Sequence, residues 1–172
     1  MFTKVFKPTN GPEAIGPYSP AVKLGDFVYL SGQLPIDPQT NALVDEGIAG
    51  QTKQVIANIA SILAEMNLEL RHVLKTTVFM ADLNDFQAMN EVYGSYFTEP
   101  YPARSTVQVA ALPKGALVEI ECMVIDTLAY EQAACNSGCC GCGDEEGECS
   151  DGCCSCEDDS SECTDGCCEG CE

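Results

Sequence analysis

STVQVAALPKGALVEIECMVID, residues 105 to 126, decides the fold. Ser105 to Ala111 and Ala116 to Asp126 are rich in β-branched residues, and Leu112-Pro113-Lys114-Gly115 between them supplies the Pro and Gly that hairpins favour. Two strands in succession, with no helix between them, depart from regular strand–helix alternation. Upstream, Phe86, Met89, Tyr93 and Phe97 step by three, four and four, which predicts an amphipathic helix ended by Glu99-Pro100, its stripe packed in the core. Val73 to Met80 (VLKTTVFM) has the β-rich composition of a mid-sheet strand covered on both faces. From Gly47, the residues Ile48, Val55, Ile59, Ile62, Leu63 and Met66 recur at helical spacing over about five turns, with Asp45 available as N-cap. Asp26 to Ser31 (DFVYLS) forms a further strand, running into a loop punctured by Gly32, Pro35 and Pro38. The order β, α, β, α, β, β points to the α+β class, a mixed sheet with both helices on one face.

The other face of that sheet must find cover elsewhere. Along the last strand Val118, Ile120, Cys122 and Val124 alternate with Leu117, Glu119, Glu121 and Met123, so one side is apolar and the other mixes apolar groups with carboxylates. A subunit interface lined by functional carboxylates fits this pattern. Arg104 opens the preceding strand, and its planar fork suits bidentate capture of a small carboxylate. In a simple hairpin, the face of Arg104, Thr106 and Gln108 continues onto Glu119, Glu121 and Met123, with Arg104 opposite Met123. Arg104 and Glu119 are then roughly 13 Å apart by Cα, a gap that two long side chains close to the size of one small molecule. A structural ion pair between Arg104 and Glu121 is the alternative on spacing alone.

Charge divides the chain. Residues 1 to 128 hold all 8 Lys and Arg and 14 acidic residues, 8 − 14 = −6, whereas residues 129 to 172 contribute 0 − 13 = −13, for a total of −19. The first part is a globular body. The second has 12 of the 13 Cys and no Val, Ile, Leu, Phe or Met, so it cannot fold by hydrophobic burial. An acidic chain without clustered Lys or Arg repels phosphate backbones and anionic lipid alike, which argues against nucleic-acid and membrane partners. With neither a leader-like start nor an apolar run of about 18 residues, a cytoplasmic location is expected.

Four segments, Ile15-Gly16-Pro17-Tyr18-Ser19, Leu30-Ser31-Gly32-Gln33-Leu34-Pro35, Pro102-Ala103-Arg104-Ser105 and Val118-Glu119-Ile120-Glu121, together resemble the RidA (YjgF) family of enamine/imine deaminases over about residues 2 to 128. The resemblance implies a chorismate-mutase-like fold and a homotrimer. It also implies clefts between subunits in which 2-aminoacrylate and related 2-imino acids are hydrolysed to 2-keto acids and ammonia without a cofactor. It further implies that Arg104 anchors the substrate carboxylate, that Glu119 positions water, and that Tyr18, Ser31, Gly32 and Asn90 line the cleft. Thr106 stands where many relatives have cysteine, and water-driven hydrolysis needs no thiol. Glu119 would need a raised pKa to act as an acid, with Arg104 pulling the other way until substrate neutralises it. His72, Cys122, Tyr93 and Tyr96 are taken as packing residues.

The tail repeats with period 14: CNSGCCGCGDEEGE, CSDGCCSCEDDSSE, CTDGCCEGCE. Each unit carries four thiols, Cys135, Cys139, Cys140 and Cys142, then Cys149, Cys153, Cys154 and Cys156, then Cys163, Cys167, Cys168 and Cys171. Four thiols within eight or nine residues, with Gly before each Cys-Cys pair, suit a compact metal-thiolate site for Zn(II), Cd(II), Cu(I) or an iron–sulfur cluster. A disulfide-stapled tail, redox sensing through C-x-x-C pairs and a passive acidic tag are the alternatives. For the whole protein, the alternative to an enzyme is a non-catalytic ligand-binding scaffold that serves as a metal buffer or a redox or metal sensor.

Overall fold

The computed structural model describes residues 3–6 and 16–138. The chain divides into two units, Met1–Thr127 and Leu128–Glu172. In the first, the elements run β1 (Lys4–Phe6), β2 (Ala21–Leu24), β3 (Phe27–Gln33), α1 (Gly47–Ala64), β4 (Val73–Met80), α2 (Phe86–Tyr96), β5 (Ala103–Gln108) and β6 (Val118–Ile125). The architecture is α+β, a mixed six-stranded sheet in the order β1-β2-β3-β6-β4-β5. In the second unit, α3 (Leu128–Gly138) is an 11-residue helix that the composition of the tail gave no reason to expect.

The expected hairpin is overturned. β5 pairs in parallel with β4, and β6 pairs antiparallel with the opposite edge of β4, so the two successive strands never touch. The cause is α2. A helix between β4 and β5 makes the crossover that parallel neighbours require, and once β5 occupies one edge of β4, β6 takes the other. Residues 109–117 span β4, pinned by Val109 N–H donating to Met80 O at 2.9 Å and Ala81 N–H to Leu117 O at 2.9 Å.

Apolar burial explains which face the helices take. Val28, Leu30, Val78, Met80, Val118, Ile120, Cys122 and Val124 point inward to meet Val55, Ile56, Ile59, Ile62 and Leu63 of α1 and Met89 and Tyr93 of α2, all 5% exposed or less. The reverse face lies open. Val5, Leu24, Phe27, Tyr29 and Val107 are each more than 40% exposed, and Val5↔Val22, Val22↔Tyr29, Leu24↔Phe27 and Tyr29↔Met123 are Cα partners, so an apolar surface runs from β1 across to β6, with Val107 apart from it on β5. β4 is therefore not covered on both faces: Thr76, Val78 and Met80 are buried, whereas Lys75, Thr77 and Phe79 look outward. Two further details differ from expectation. Glu46, not Asp45, precedes α1, and it makes no side-chain capping bond. Phe86 is 38% exposed, so it leaves the core stripe that Met89, Tyr93 and Phe97 maintain.

Candidate active site

Register settles where Arg104 and Glu119 point. Cα partners share a face. Arg104 pairs with Thr76, which pairs with Cys122, so Arg104 stands on the helix side. Glu119 pairs with Phe79, which pairs with Val107, so Glu119 stands on the open side. The expectation that they share one face of one chain is wrong, and an Arg104–Glu121 ion pair fails for the same reason, since Glu121 pairs with Thr77 on the open face. The candidate residues fall into two groups.

The first surrounds Arg104 on the edge strand β5. Its Nη2 donates to Asn90 Oδ1 at 2.7 Å, and its Cζ lies 4.6 Å from the Tyr93 ring centroid and 5.7 Å from that of Phe86. Phe86, Asn90 and Tyr93 sit at steps of four and three on α2, one helical face. The guanidinium is thus flanked by aromatic rings, with donors left over for a ligand. Thr106, two residues along β5, shares the face and is half-buried.

The second group adjoins Glu119 through Gly32. The β3–β6 register shifts between Leu30 and Gln33, and this irregularity brings the Gly32 backbone against the Glu119 side chain. A Cβ at Gly32 would sit 1.8 Å from Glu119 Oε1 and 2.7 Å from its carboxyl carbon, so only glycine admits the carboxylate there. Ser31 N–H donates to Pro20 O at 3.0 Å and Ser31 Oγ to Ser19 O at 2.7 Å, which fastens the loop carrying Tyr18; Tyr18 itself is 47% exposed. Beyond Gly32, buried Asn58 donates to Leu34 O at 3.1 Å and Ile36 O at 2.9 Å, and its Oδ1 accepts from Gln54 Nε2 at 2.9 Å. Asn58 was not foreseen as a supporting residue, although an amide three residues after Val55 on an apolar stripe is the signal that reveals it.

Burial and, after it, the neighbouring Glu121 carboxylate hold Glu119 above the usual carboxylate range. Within one subunit, Arg104 stands on the opposite face of the sheet from Glu119. The raised pKa means that the fold favours the protonated acid. Its stabilising contribution is full below the ordinary carboxylate value and is lost as pH rises through the raised one. The wild-type Tm is accordingly expected to fall relative to that of Glu119→Gln as pH rises above the ordinary carboxylate value of about 4.3, followed by calorimetry at matched ionic strength from acid to neutral pH. A constant difference across that range would show that Glu119 titrates normally.

Cys122 is buried on the helix side, and desolvation pushes its thiol up to about 12, so it behaves as a small apolar residue. His72 is buried in the turn that leads into β4, its Nδ1 accepting from Glu69 N–H at 2.9 Å, a packing position. Cys135 falls within α3, and the other eleven proposed metal ligands, Cys139 to Cys171, lie outside the described residues. Among the described residues no three His, Cys, Asp or Glu gather to hold a metal, and no helix is long and apolar enough to cross a membrane.

A family model described as Endoribonuclease L-PSP, the family that includes RidA, matches residues 8–126. The chain belongs to the RidA family. Among RidA-family relatives, a RutC family protein of Pyrococcus abyssi is 49% identical over 132 residues, covering 77% of this chain and 100% of the relative. A human protein named 2-iminobutanoate/2-iminopropanoate deaminase is 44% identical over 125 residues, covering 73% of this chain and 91% of its own. The crystal structure of RidA from an Antarctic Psychrobacter superposes with a TM-score of 0.69 at 47% identity, covering 71% of this chain and 98% of that one. The model's match ends at residue 126, before the cysteine repeats begin.

Proposed function

We propose that this protein hydrolyses 2-aminoacrylate and related 2-enamino and 2-imino acids to 2-keto acids and ammonia. The cleft forms where the Arg104 group of one subunit of a homotrimer meets the Glu119 group of the next. Arg104 and Thr106, with Asn90, come from one subunit; Tyr18, Ser31, Gly32 and Glu119 come from its neighbour. The observation that carries this reading is the opposition of the two groups across one sheet. Neither is a complete site, and the open apolar face bearing Glu119 needs a second copy to cover it. The human relative's name, a deaminase of 2-imino acids, supports the substrate class.

The chemistry follows from the two groups. Arg104 holds the substrate carboxylate as a fork. Protonated Glu119 donates its proton to the terminal carbon of the enamine, giving an iminium. The resulting carboxylate takes a proton from water as the water oxygen bonds to the iminium carbon. The recovered proton then passes to nitrogen, the carbon–nitrogen bond breaks, and ammonia leaves as the hydroxyl oxygen forms the carbonyl and returns its own proton to the Glu119 carboxylate. One carboxyl therefore serves twice as acid and twice as base and ends protonated as it began, a cycle that suits a group with a raised pKa and needs no resident cofactor. RNA fits this surface poorly, because the body sets 8 Lys and Arg against 14 acidic residues, with only one of the basic residues, Arg104, in the proposed cleft.

The test is complementation between inactive variants. Arg104→Ala and Glu119→Gln, each inactive alone, are unfolded together, mixed and reassembled. A cleft drawing one group from each of two subunits recovers intact partners in about one quarter of random pairings, half times half. Keto-acid release at about a quarter of the wild-type rate is therefore the expected result. Activity no higher than the sum of the separate variants, from trimers shown to be mixed, would place both groups within one subunit's own site and overturn the reading.

The repeats beyond the body support a second, separate reading. Three units of four cysteines at a period of 14, in a segment without apolar residues, suit thiolate binding of soft ions such as Zn(II), Cd(II) or Cu(I), or an iron–sulfur cluster. Full-length protein purified without chelator is expected to carry bound metal by elemental analysis and to lose it on acidification, because protons displace metal from thiolates. Metal-free protein whose tail thiols resist alkylation until reduced would instead establish disulfides.

A further inference from the structure

Tyr93 does more than fill the core. Its ring is stacked on Phe97 with centroids 4.3 Å apart and an interplanar angle of 23°, while the Arg104 guanidinium carbon lies over the same ring at 4.6 Å. Two groups this close to one centroid cannot occupy the same side, so the ring is sandwiched between them. Its hydroxyl is fixed as well, paired with Thr76 Oγ1 at 2.9 Å in a fully buried hydrogen bond. Thr76 belongs to β4, and its Cα partner in β5 is Arg104 itself. The ring is therefore clamped by the strand that neighbours the arginine it supports. Asn90 takes one donor of the guanidinium from the same helix, and Phe86 flanks it at 5.7 Å.

We propose that Tyr93, locked by Thr76, is a positioning residue that holds the Arg104 guanidinium in one plane before substrate arrives. The inference rests on Arg104 being the carboxylate anchor. An arginine side chain free in solvent samples many rotamers and must abandon them on binding, whereas one already laid on a fixed ring keeps its remaining N–H groups aimed outward as a ready fork. The attraction of the ring face for the cation supplies the hold, and the Thr76 bond keeps that face from turning away. Packing alone would be served equally well by phenylalanine at 93 and valine at 76. A buried hydroxyl pair beside the arginine is the feature that packing does not need.

The experiment compares full-length Tyr93→Phe, Thr76→Val, Tyr93→Leu and Arg104→Ala. Each is measured for kcat and KM on 2-aminoacrylate generated in situ, and for inhibition by pyruvate, a 2-keto acid whose binding requires the anchor but no chemistry. Tyr93→Leu is expected to raise the inhibition constant for pyruvate and KM together by roughly tenfold, with kcat less affected. Tyr93→Phe and Thr76→Val are expected to raise both constants by about two- to threefold, and their double variant by no more than either alone, because they break the same bond. A merely structural role would lower Tm or the folded fraction yet leave the inhibition constant of the folded protein unchanged. If Arg104→Ala weakens pyruvate binding and none of the Tyr93 or Thr76 variants does, the positioning role is overturned and the anchor stands. If Arg104→Ala itself leaves pyruvate binding intact, the anchor falls, and the positioning role with it.

Discussion

Arg104→Ala is expected to lower kcat/KM for 2-aminoacrylate by about three orders of magnitude, roughly 4 kcal/mol, the scale of a charge-assisted bidentate pair removed from a sheltered cleft. The carboxylate is unchanged by the reaction, so Arg104 grips ground state and transition state alike, and much of the loss should appear in KM. Folding should survive. Arg104 lies on the edge strand, half-buried, and its contacts are the two rings and Asn90 on the adjoining helix, all of which retain their other packing. Steady-state kinetics over a wide substrate range, with a melting curve for each protein, gives the check. An unchanged KM with Tm preserved would mean that the carboxylate is bound elsewhere.

Gly32→Ala is expected to reduce kcat by about a hundredfold while leaving Tm almost unmoved. The reason is steric and local. A methyl at position 32 would overlap Glu119, at 1.8 Å from Oε1 and 3.0 Å from Cγ, but what it meets is the outer end of a flexible side chain. The carboxylate can swing aside at little energetic expense, so stability is spared. Its working position is lost, and displacement of a reacting group by about 1 Å is enough for a hundredfold effect. Glu119→Gln provides the reference, since it retains the shape and removes the proton-carrying function, with an expected loss of about 10²–10⁴. The double variant Gly32→Ala with Glu119→Gln should be no worse than Glu119→Gln alone, because both act on the same group. Additive losses would mean that Gly32 serves the reaction by another route, such as a backbone contact to substrate.

Both predictions depend on features of different visibility. β4, β6 and the two long helices announced themselves through composition and period, and Val73–Met80 appears with the bounds that its β-rich run implies. β1 and β2 did not, since three and four residues are too few for alternation to stand out against a loop. The Gly32 contact with Glu119 was invisible for another reason: it arises from a register shift between β3 and β6, strands some 90 positions apart in the chain, and nothing local specifies it. Tyr93 illustrates the opposite case. Its place on the buried stripe of α2 was legible, but its stacking on Phe97 is a finding of the structure, and its contact with Arg104 and the partner of its hydroxyl came only when β4 and β5 lay alongside.

Taken by itself, the sequence determined the kinds of element, the helix-covered apolar side of β6, the separation of an acidic cysteine-rich segment from a globular body, and which two side chains have the chemistry to grip an acid and move a proton. These follow from residue type and from periods of two and 3.6, which operate over a few neighbouring positions. Tertiary structure alone decided that those two side chains stand on opposite sides of the sheet. Alternation fixes which residues of one strand share a side, but the alignment of one strand's sides with another's depends on which edges pair. β5 and β6 pair with opposite edges of β4, an arrangement set by the α2 crossover and by burial of the inward residues of β4 and β6, which no pattern within a single strand specifies.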